Sequence, residues 1–285
     1  TPPFLQTLQT MAISAKDVMR LREATGVGMM DCKKALTEAE GDFDQAIDLL
    51  RKKGQKVAAA RSDRDATEGA IVSKVSADGK TGILVEVNSE TDFVARNEQF
   101  VAFAESLAAL ALETQPADLD AFRAATLDGQ SVADALVQKT GQVGEKIDVR
   151  RVAVLTATEG GTIVDYIHPG AKLGVLVEMT GSDVADAGRD VAMQAAAMNP
   201  IAAVRTDVPQ EIQDKELSIG RDQAAAEGKP EAMLDKIAEG KLNRYFKDNV
   251  LVEQPFVKDS SMTVEKMLAA KGATLRRFVR FALGG

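Results

Sequence analysis

An internal repeat constrains this chain more than any other feature. Gly69-Ala70-Ile71-Val72 aligns with Gly161-Thr162-Ile163-Val164 at an offset of 92. The same offset pairs Val75 with Ile167, Lys80 with Lys172, Gly82 with Gly174, Leu84 with Leu176, Val85 with Val177 and Glu86 with Glu178. Over 69–87 against 161–179, eight of the 19 positions are identical. Each copy reads as strand, tight turn, strand, then helix, with turns at Ala77-Asp78-Gly79 and His168-Pro169-Gly170. A fixed register over two hairpins predicts a duplicated α+β core with antiparallel sheets. Glu145 to Thr156 reads as a strand leading into the second copy, and Phe278 to Leu283 as a last strand completing the second sheet.

The rest of the chain is helical. Residues 12–54 read as three short helices. Ser14 and Asp17 form a capping box, with Ile13 and Val18 at staple spacing. Thr25-Gly26 stops the first helix. The second carries Met29, Met30, Ala35 and Leu36, with one of the two methionines expected in the core. Asp42 caps the third, which buries Ala46, Ile47 and Leu50 and stops at Gly54. Such a bundle resembles a ubiquitin-associated domain. Residues 55–68 read as a linker with room for a helical part, 69–144 as the first core subdomain, and 145–208 with 249–285 as the second. Ser131 and Asp134 open a helix running to about Lys139, and Gly141-Gln142-Val143-Gly144 reads as a flexible loop. The second copy's helix ends at Asn199-Pro200. Residues 209–248 read as two charged helices forming a protruding hairpin. Gln254-Pro255-Phe256-Val257 reads as a loop, followed by a helix from Thr263 to Lys271.

Composition narrows the function. Net charge is -8, from 43 acidic and 35 basic residues, which makes nucleic acid a poor default partner. The run Arg51, Lys52, Lys53, Lys56, Arg61 and Arg64 reads as a solvated helix end. One cysteine, Cys32, and one histidine, His168, leave no internal disulfide and no Cys/His metal cluster. No run of about 18 apolar residues is present, so no membrane span is expected. Thr1–Thr10 read as neither signal nor transit peptide, and Met11 as a native start behind an extension. Gly79-Lys80-Thr81 looks like the end of a phosphate-binding loop. Lys74 stands where that loop needs glycine, however, and a strand follows where a helix is needed. His168 sits in a turn with no nucleophile near it in sequence, and Cys32 reads as a small buried residue. On chemistry alone the chain binds rather than catalyses, and no cofactor is implied.

The stretch Asn88-Ser89-Glu90-Thr91-Asp92-Phe93-Val94 follows the strand Gly82–Val87 and opens an amphipathic segment, Thr91 to Leu112. Ser89 and Asp92 read as a capping pair. Phe93, Phe100, Ala104, Leu107 and Ala111 fall on one helical stripe, which by itself reads as core packing.

Two motifs carry a family. Leu21-Arg22-Glu23-Ala24-Thr25-Gly26-Val27-Gly28-Met29-Met30-Asp31-Cys32-Lys33-Lys34-Ala35-Leu36 is similar to the N-terminal signature of the elongation factor Ts family. Glu86-Val87-Asn88-Ser89-Glu90-Thr91-Asp92-Phe93-Val94-Ala95 resembles that family's second signature. The order of bundle, duplicated core and helical hairpin also matches, so the resemblance covers about residues 12–285. It implies a non-enzymatic exchange factor that binds elongation factor Tu carrying GDP and speeds GDP release.

On that resemblance Thr91, Asp92, Phe93 and Val94 match the segment that intrudes near the partner's magnesium site. Phe93 would be the wedge, reversing its core reading, and Asp92 would stand beside it. Met29 and Met30 match apolar contacts to the partner's nucleotide domain. Val143-Gly144 matches a loop touching the same domain, with Val143 where an isoleucine is familiar. His168 matches a contacting histidine, although Pro169 after it reads as an insertion or shift in that turn. The hairpin matches an arm implicated in self-association or partner contact. A further C-terminal helix seen in some members has no counterpart before Gly285. No direct nucleic-acid or membrane contact is implied. The expected setting is a bacterial-type cytoplasm rather than an organelle matrix, since no import segment is read. The competing reading is a ubiquitin-associated-type adaptor without exchange activity, in which residues 1–54 alone would bind the partner.

Overall fold

The structure is a computed structural model describing residues 13–284. The expectations for Thr1–Thr10 and Met11 lie outside the described residues. Backbone contacts divide the chain into two compact units. One joins residues 13–69 with Val87–Val101 and Asp120–Arg150. The other holds Ala70–Glu86, Ala102–Leu119 and Arg151 onward.

In chain order, α1 (Ala15–Thr25), α2 (Met29–Glu38) and α3 (Phe43–Ala60) form the N-terminal bundle. Strands β1 (Glu68–Val75) and β2 (Thr81–Ser89) make the first hairpin, followed by α4 (Asp92–Ala95), α5 (Glu98–Thr114) and α6 (Leu119–Ala124). The short strands β3 (Thr126–Leu127) and β4 (Gln130–Ser131) lead into α7 (Val132–Val143) and β5 (Asp148–Thr156). The second copy is β6 (Thr162–Ile167), β7 (Leu173–Gly181) and α8 (Val184–Met198). Helices α9 (Gln210–Ala226) and α10 (Glu231–Asn249) form the hairpin. Strands β8 (Pro255–Phe256) and β9 (Asp259–Thr263), helix α11 (Val264–Ala270) and strand β10 (Ala273–Ala282) close the fold. The expected α+β class is the observed one.

In the first unit the bundle starts as its sequence dictates. Ser14 Oγ accepts from Asp17 N, and the Asp17 carboxylate accepts from Ser14 N, satisfying first-turn donors that the helix leaves free. Ser14→Ala is expected to cost about 1 kcal/mol, read as a lower denaturation midpoint. Val18, Leu21, Cys32, Ala35, Leu36, Ala46 and Leu50 make the bundle core. Helix α3 does not stop at Gly54 but continues to Ala60. Gly54 is a packing residue instead. A β-carbon at Gly141 on α7 would collide with the Gly54 backbone, so these two glycines let the helices cross closely. For the same reason Gly141 to Val143 are helical rather than a flexible loop, and the stop is Gly144 in the left-handed conformation.

The second unit displays the duplication as an approximate two-fold arrangement. The sheets run in the orders β1-β2-β5 and β10-β7-β6. The latter is antiparallel, with Val177 opposite Val164 on one side and Phe278 on the other. Backbone bonds recur at equivalent places: one pair between the copies is related by the repeat offset at both ends, and a second pair, donated just after β5 and β10, is related by it at the acceptors. Ile71 N donates to Ala171 O at 2.7 Å, and Ile163 N to Gly79 O at 2.8 Å. Ala157 N donates to Lys80 O at 2.7 Å, and Leu283 N to Lys172 O at 2.9 Å. Ser73 Oγ donates to Asp165 Oδ2 at 2.5 Å, joining a residue to its own counterpart, as happens only near such an axis.

Ile71, Leu84, Leu155, Ile163, Leu176 and Phe281 form the shared core. Gly82 and Gly174 explain their identity in the repeat. A β-carbon at Gly82 would lie 2.5 Å from Ile163 Cγ2, and one at Gly174 would lie 2.7 Å from Ile71 Cγ2. Small residues likewise let α8 approach the sheet, where Gly188 faces Val164 and Met179. Gln254 to Phe256 are not a simple loop. Pro255 and Phe256 pair with β9, and buried Gln254 bonds to Gln194 and to the Asp248 carbonyl. In the hairpin α9 and α10 cover each other at Gly220, Ala224, Leu234 and Ala238. Arg221 bridges to Glu231 and Asp235 across the turn.

Candidate functional site

The end of β2 delivers the chain into a short, heavily braced turn. The cap of α4 is Thr91, not Ser89. Thr91 Oγ1 accepts from Val94 N at 3.5 Å, while buried Ser89 donates its hydroxyl to the Thr91 carbonyl at 2.9 Å. The segment Thr91 to Leu112 is not one helix. It breaks at Arg96 and Asn97, and Asn97 Oδ1 accepts from Gln99 N at 2.8 Å to start α5 afresh. The break takes Phe93 off the stripe. Phe100, Ala104, Leu107 and Ala111 are buried as expected, whereas Phe93 is 84% exposed. Asp92, on the first turn, pairs with Arg96 at 3.0 Å, and Val94 is half-buried.

Distant parts of the first unit hold this turn. Arg61 Nη1 donates to both oxygens of Glu90, at 2.7 and 2.9 Å, and Lys146 N donates to Glu90 Oε1 at 2.7 Å. The Lys146 amide is the main reason the Glu90 carboxyl is held below its ordinary value; burial opposes the shift and the Arg61 guanidinium adds to it. Lys146 Nζ donates to the carbonyls of Ser62, at 2.7 Å, and Arg64, at 3.0 Å. Glu145 accepts from Thr91 N at 3.0 Å and from Thr91 Oγ1 at 2.9 Å. The end of α3, the Glu90–Phe93 turn and the segment after α7 are thereby sewn together.

The other residues singled out from sequence fall in both units. Met29 and Met30, on the first turn of α2, are both exposed, at 37% and 67%. The expectation of one core methionine fails because Cys32, Ala35 and Leu36 fill the inward face of that helix. Val143 is 37% exposed beside Gly144, and Gln142 Nε2 donates to the Thr25 carbonyl at 2.5 Å. Thus Met29, Met30, Thr91 to Val94, Val143 and Gly144 share one unit. His168 belongs to the other. It is exposed, and its Nδ1 lies 2.9 Å from the Tyr166 hydroxyl. The turn around it closes through His168 N to Leu173 O at 2.9 Å, with Gly170 and Ala171 both at positive φ. Cys32 is buried and donates to the Val27 carbonyl.

Chemically, the first unit offers a fixed apolar ring with a carboxylate beside it. Among the described residues no group of three or more His, Cys, Asp or Glu side chains is placed to hold a metal ion. Nor is any helix among them long and apolar enough to cross a membrane. Sequence reasoning missed the bracing groups. Glu90 lay inside a quoted motif but drew no role, and Glu145 was read only as the start of a strand that begins at Asp148. Their partners lie 29 to 56 residues away in sequence, so no local pattern marks them.

Known proteins place this arrangement. The family described as elongation factor TS matches residues 90–285. Elongation factor Ts of Amoebophilus asiaticus is 48% identical over 279 residues, covering 96% of this chain and 100% of the relative. Elongation factor Ts of Alkalilimnicola ehrlichii is 47% identical, over 96% of this chain and 93% of its own length. That of Flavobacterium psychrophilum is 49% identical, over 95% and 99%. With identities near one half and near-complete coverage on both sides, the chain belongs to the elongation factor Ts family.

Proposed function

We propose that this chain is a translation elongation factor that binds elongation factor Tu carrying GDP and promotes GDP release. The logic is linkage. A factor that binds the nucleotide-free partner more tightly than the GDP-bound partner weakens GDP by the same coupling free energy. No covalent step is required, only a group that disturbs the magnesium and phosphate contacts holding GDP. Phe93 is that group in this reading. Its 84% exposure on a braced turn is the observation that carries the assignment. Asp92 and the flanking Thr91 and Val94 complete the intruding segment. Met29, Met30, Val143, Gly144 and His168 are further partner contacts. The hairpin of α9 and α10, which leaves Ile219 and Met233 exposed, serves partner contact or self-association. A bacterial-type cytoplasm, rather than an organelle matrix, is the setting that goes with this role.

The N-terminal bundle supports this reading over an isolated adaptor module, since Thr25 and Gly54 are tied to α7 within one unit. The test is release of labelled GDP from purified elongation factor Tu. Adding this chain in the presence of excess unlabelled nucleotide is expected to accelerate release at least about 200-fold, a release barrier lower by about 3 kcal/mol or more. Release at the spontaneous rate would overturn the reading.

A further inference from the structure

We propose that Glu145 is a positioning residue for exchange, whose carboxylate holds the Thr91 turn and thereby presents Phe93. The inference rests on the reading of Phe93 as the intruding group and adds a residue that never touches the partner's nucleotide.

Three observations lead to it. First, Phe93 makes little use of packing. A ring 84% exposed is placed by the backbone beneath it, not by neighbours. Second, that backbone cannot hold itself. Helix α4 has four residues, far below the length at which a helix is stable alone, and its own cap bond is long at 3.5 Å. Third, the strongest bonds to the cap residue come from outside. Both Thr91 donors, amide and hydroxyl, go to the Glu145 carboxylate at about 3 Å, and hydrogen bonds to an ionised acceptor are roughly twice as strong as neutral ones.

Glu145 directly follows Gly144, whose left-handed conformation ends α7 and turns the chain toward Thr91. On the neighbouring residues the same stitch repeats, with Lys146 N bonded to Glu90. The apolar end of α7 and the Phe93 turn are therefore set as one piece. Such pre-organisation spares the ordering cost that a loose tip would incur on docking.

The chain has no tryptophan, so Phe93→Trp supplies a single indole at the tip, which can be excited apart from the two tyrosines. In that background Glu145→Ala is expected to enlarge the fast, nanosecond part of the anisotropy decay. In the Phe93 protein, Glu145→Ala is expected to lower the maximal rate of GDP release from elongation factor Tu about tenfold. The concentration of factor giving half-maximal release should change less. Glu145→Gln keeps one accepting oxygen but no charge, and should cost about threefold. Adding Glu145→Ala to Phe93→Ala should slow release no further.

Unchanged anisotropy would overturn the proposal. So would a tenfold loss that persists in the Phe93→Ala background, since Glu145 would then act elsewhere. If the alanine variant fails to fold, Glu145→Gln carries both measurements. A Phe93→Ala protein at full rate would instead sink the reading of Phe93 as the intruding group, while the anisotropy would still report whether Glu145 holds the turn.

Discussion

Phe93→Ala is expected to slow the release of labelled GDP from elongation factor Tu by about 30- to 150-fold. That factor corresponds to ~2–3 kcal/mol, the loss typical of an aromatic group at the centre of an interface. The protein should meanwhile keep its stability. A side chain 84% exposed gives up little buried area when truncated, so the change should stay within about 0.5 kcal/mol. This separation of function from folding is what distinguishes a presented ring from a core ring. Phe100, seven positions on and 1% exposed, is the contrast, since its truncation would cost about 3–5 kcal/mol of stability and unfold much of the protein. Met19, 53% exposed on α1 and outside the proposed contacts, is the control for nonspecific loss of apolar surface. Its alanine variant should exchange at the wild-type rate. The measurement is a stopped-flow trace for each variant beside a urea titration. Wild-type exchange by Phe93→Ala would remove Phe93 from the site.

How far the sequence discloses this depends on the range of the interaction concerned. The capping box at Ser14 and Asp17 involves three residues of separation, and it is legible because such bonds need no distant partner. The duplication is legible because each identical position meets the same constraint twice. Gly82 and Gly174 each face an Ile and a Leu from the other copy, so neither tolerates a side chain. The pairing of β10 with β7 follows, because a two-stranded copy needs a third strand and Phe278 to Leu283 alternates. What stayed hidden is tertiary. Gly54 looks like a stop to any local rule, yet α3 runs through it because Gly141 packs there. The stripe containing Phe93 is a correct helical period across a helix that is broken, and only Asn97 capping α5 hints at the break. Glu145 meets Thr91 across 54 residues, a separation over which neither periodicity nor propensity carries information.

The duplication also sets two large expected stability effects. The repeat pairs Glu86 with Glu178, and both carboxylates are 0% exposed. Each meets an arginine from the third strand of its sheet. Arg151 Nε donates to Glu86 Oε2 at 2.7 Å, and Arg277 Nε to Glu178 Oε2 at 2.6 Å. Each arginine also reaches a carbonyl of the other sheet's third strand, Arg151 to Ala282 at 2.8 Å and Arg277 to Thr156 at 2.6 Å. Removing the arginine takes the cation from a buried carboxylate, which is the costly way to break such a pair. Arg151→Ala is expected to cost about 3 kcal/mol, since Arg151 also stacks on Phe281 at 4.4 Å. Arg277→Ala should cost less, about 2 kcal/mol, because that side chain is 50% exposed against 31% for Arg151.

Acid adds a second signature. Burial pushes the Glu178 carboxyl up, but hydrogen bonds from Thr158 and Arg277 outweigh it and hold the group below its ordinary value. A carboxyl lowered on folding contributes stability that is present above the unfolded value and lost as pH falls through the folded one. In Arg277→Ala the folded value rises, so that contribution should already be smaller at neutral pH and the variant should lose less on acidification than the parent. Urea midpoints at pH 7 and pH 3 for both proteins make the comparison. Equal losses on acidification would show that the Arg277–Glu178 pair does not set the acid limit of this fold.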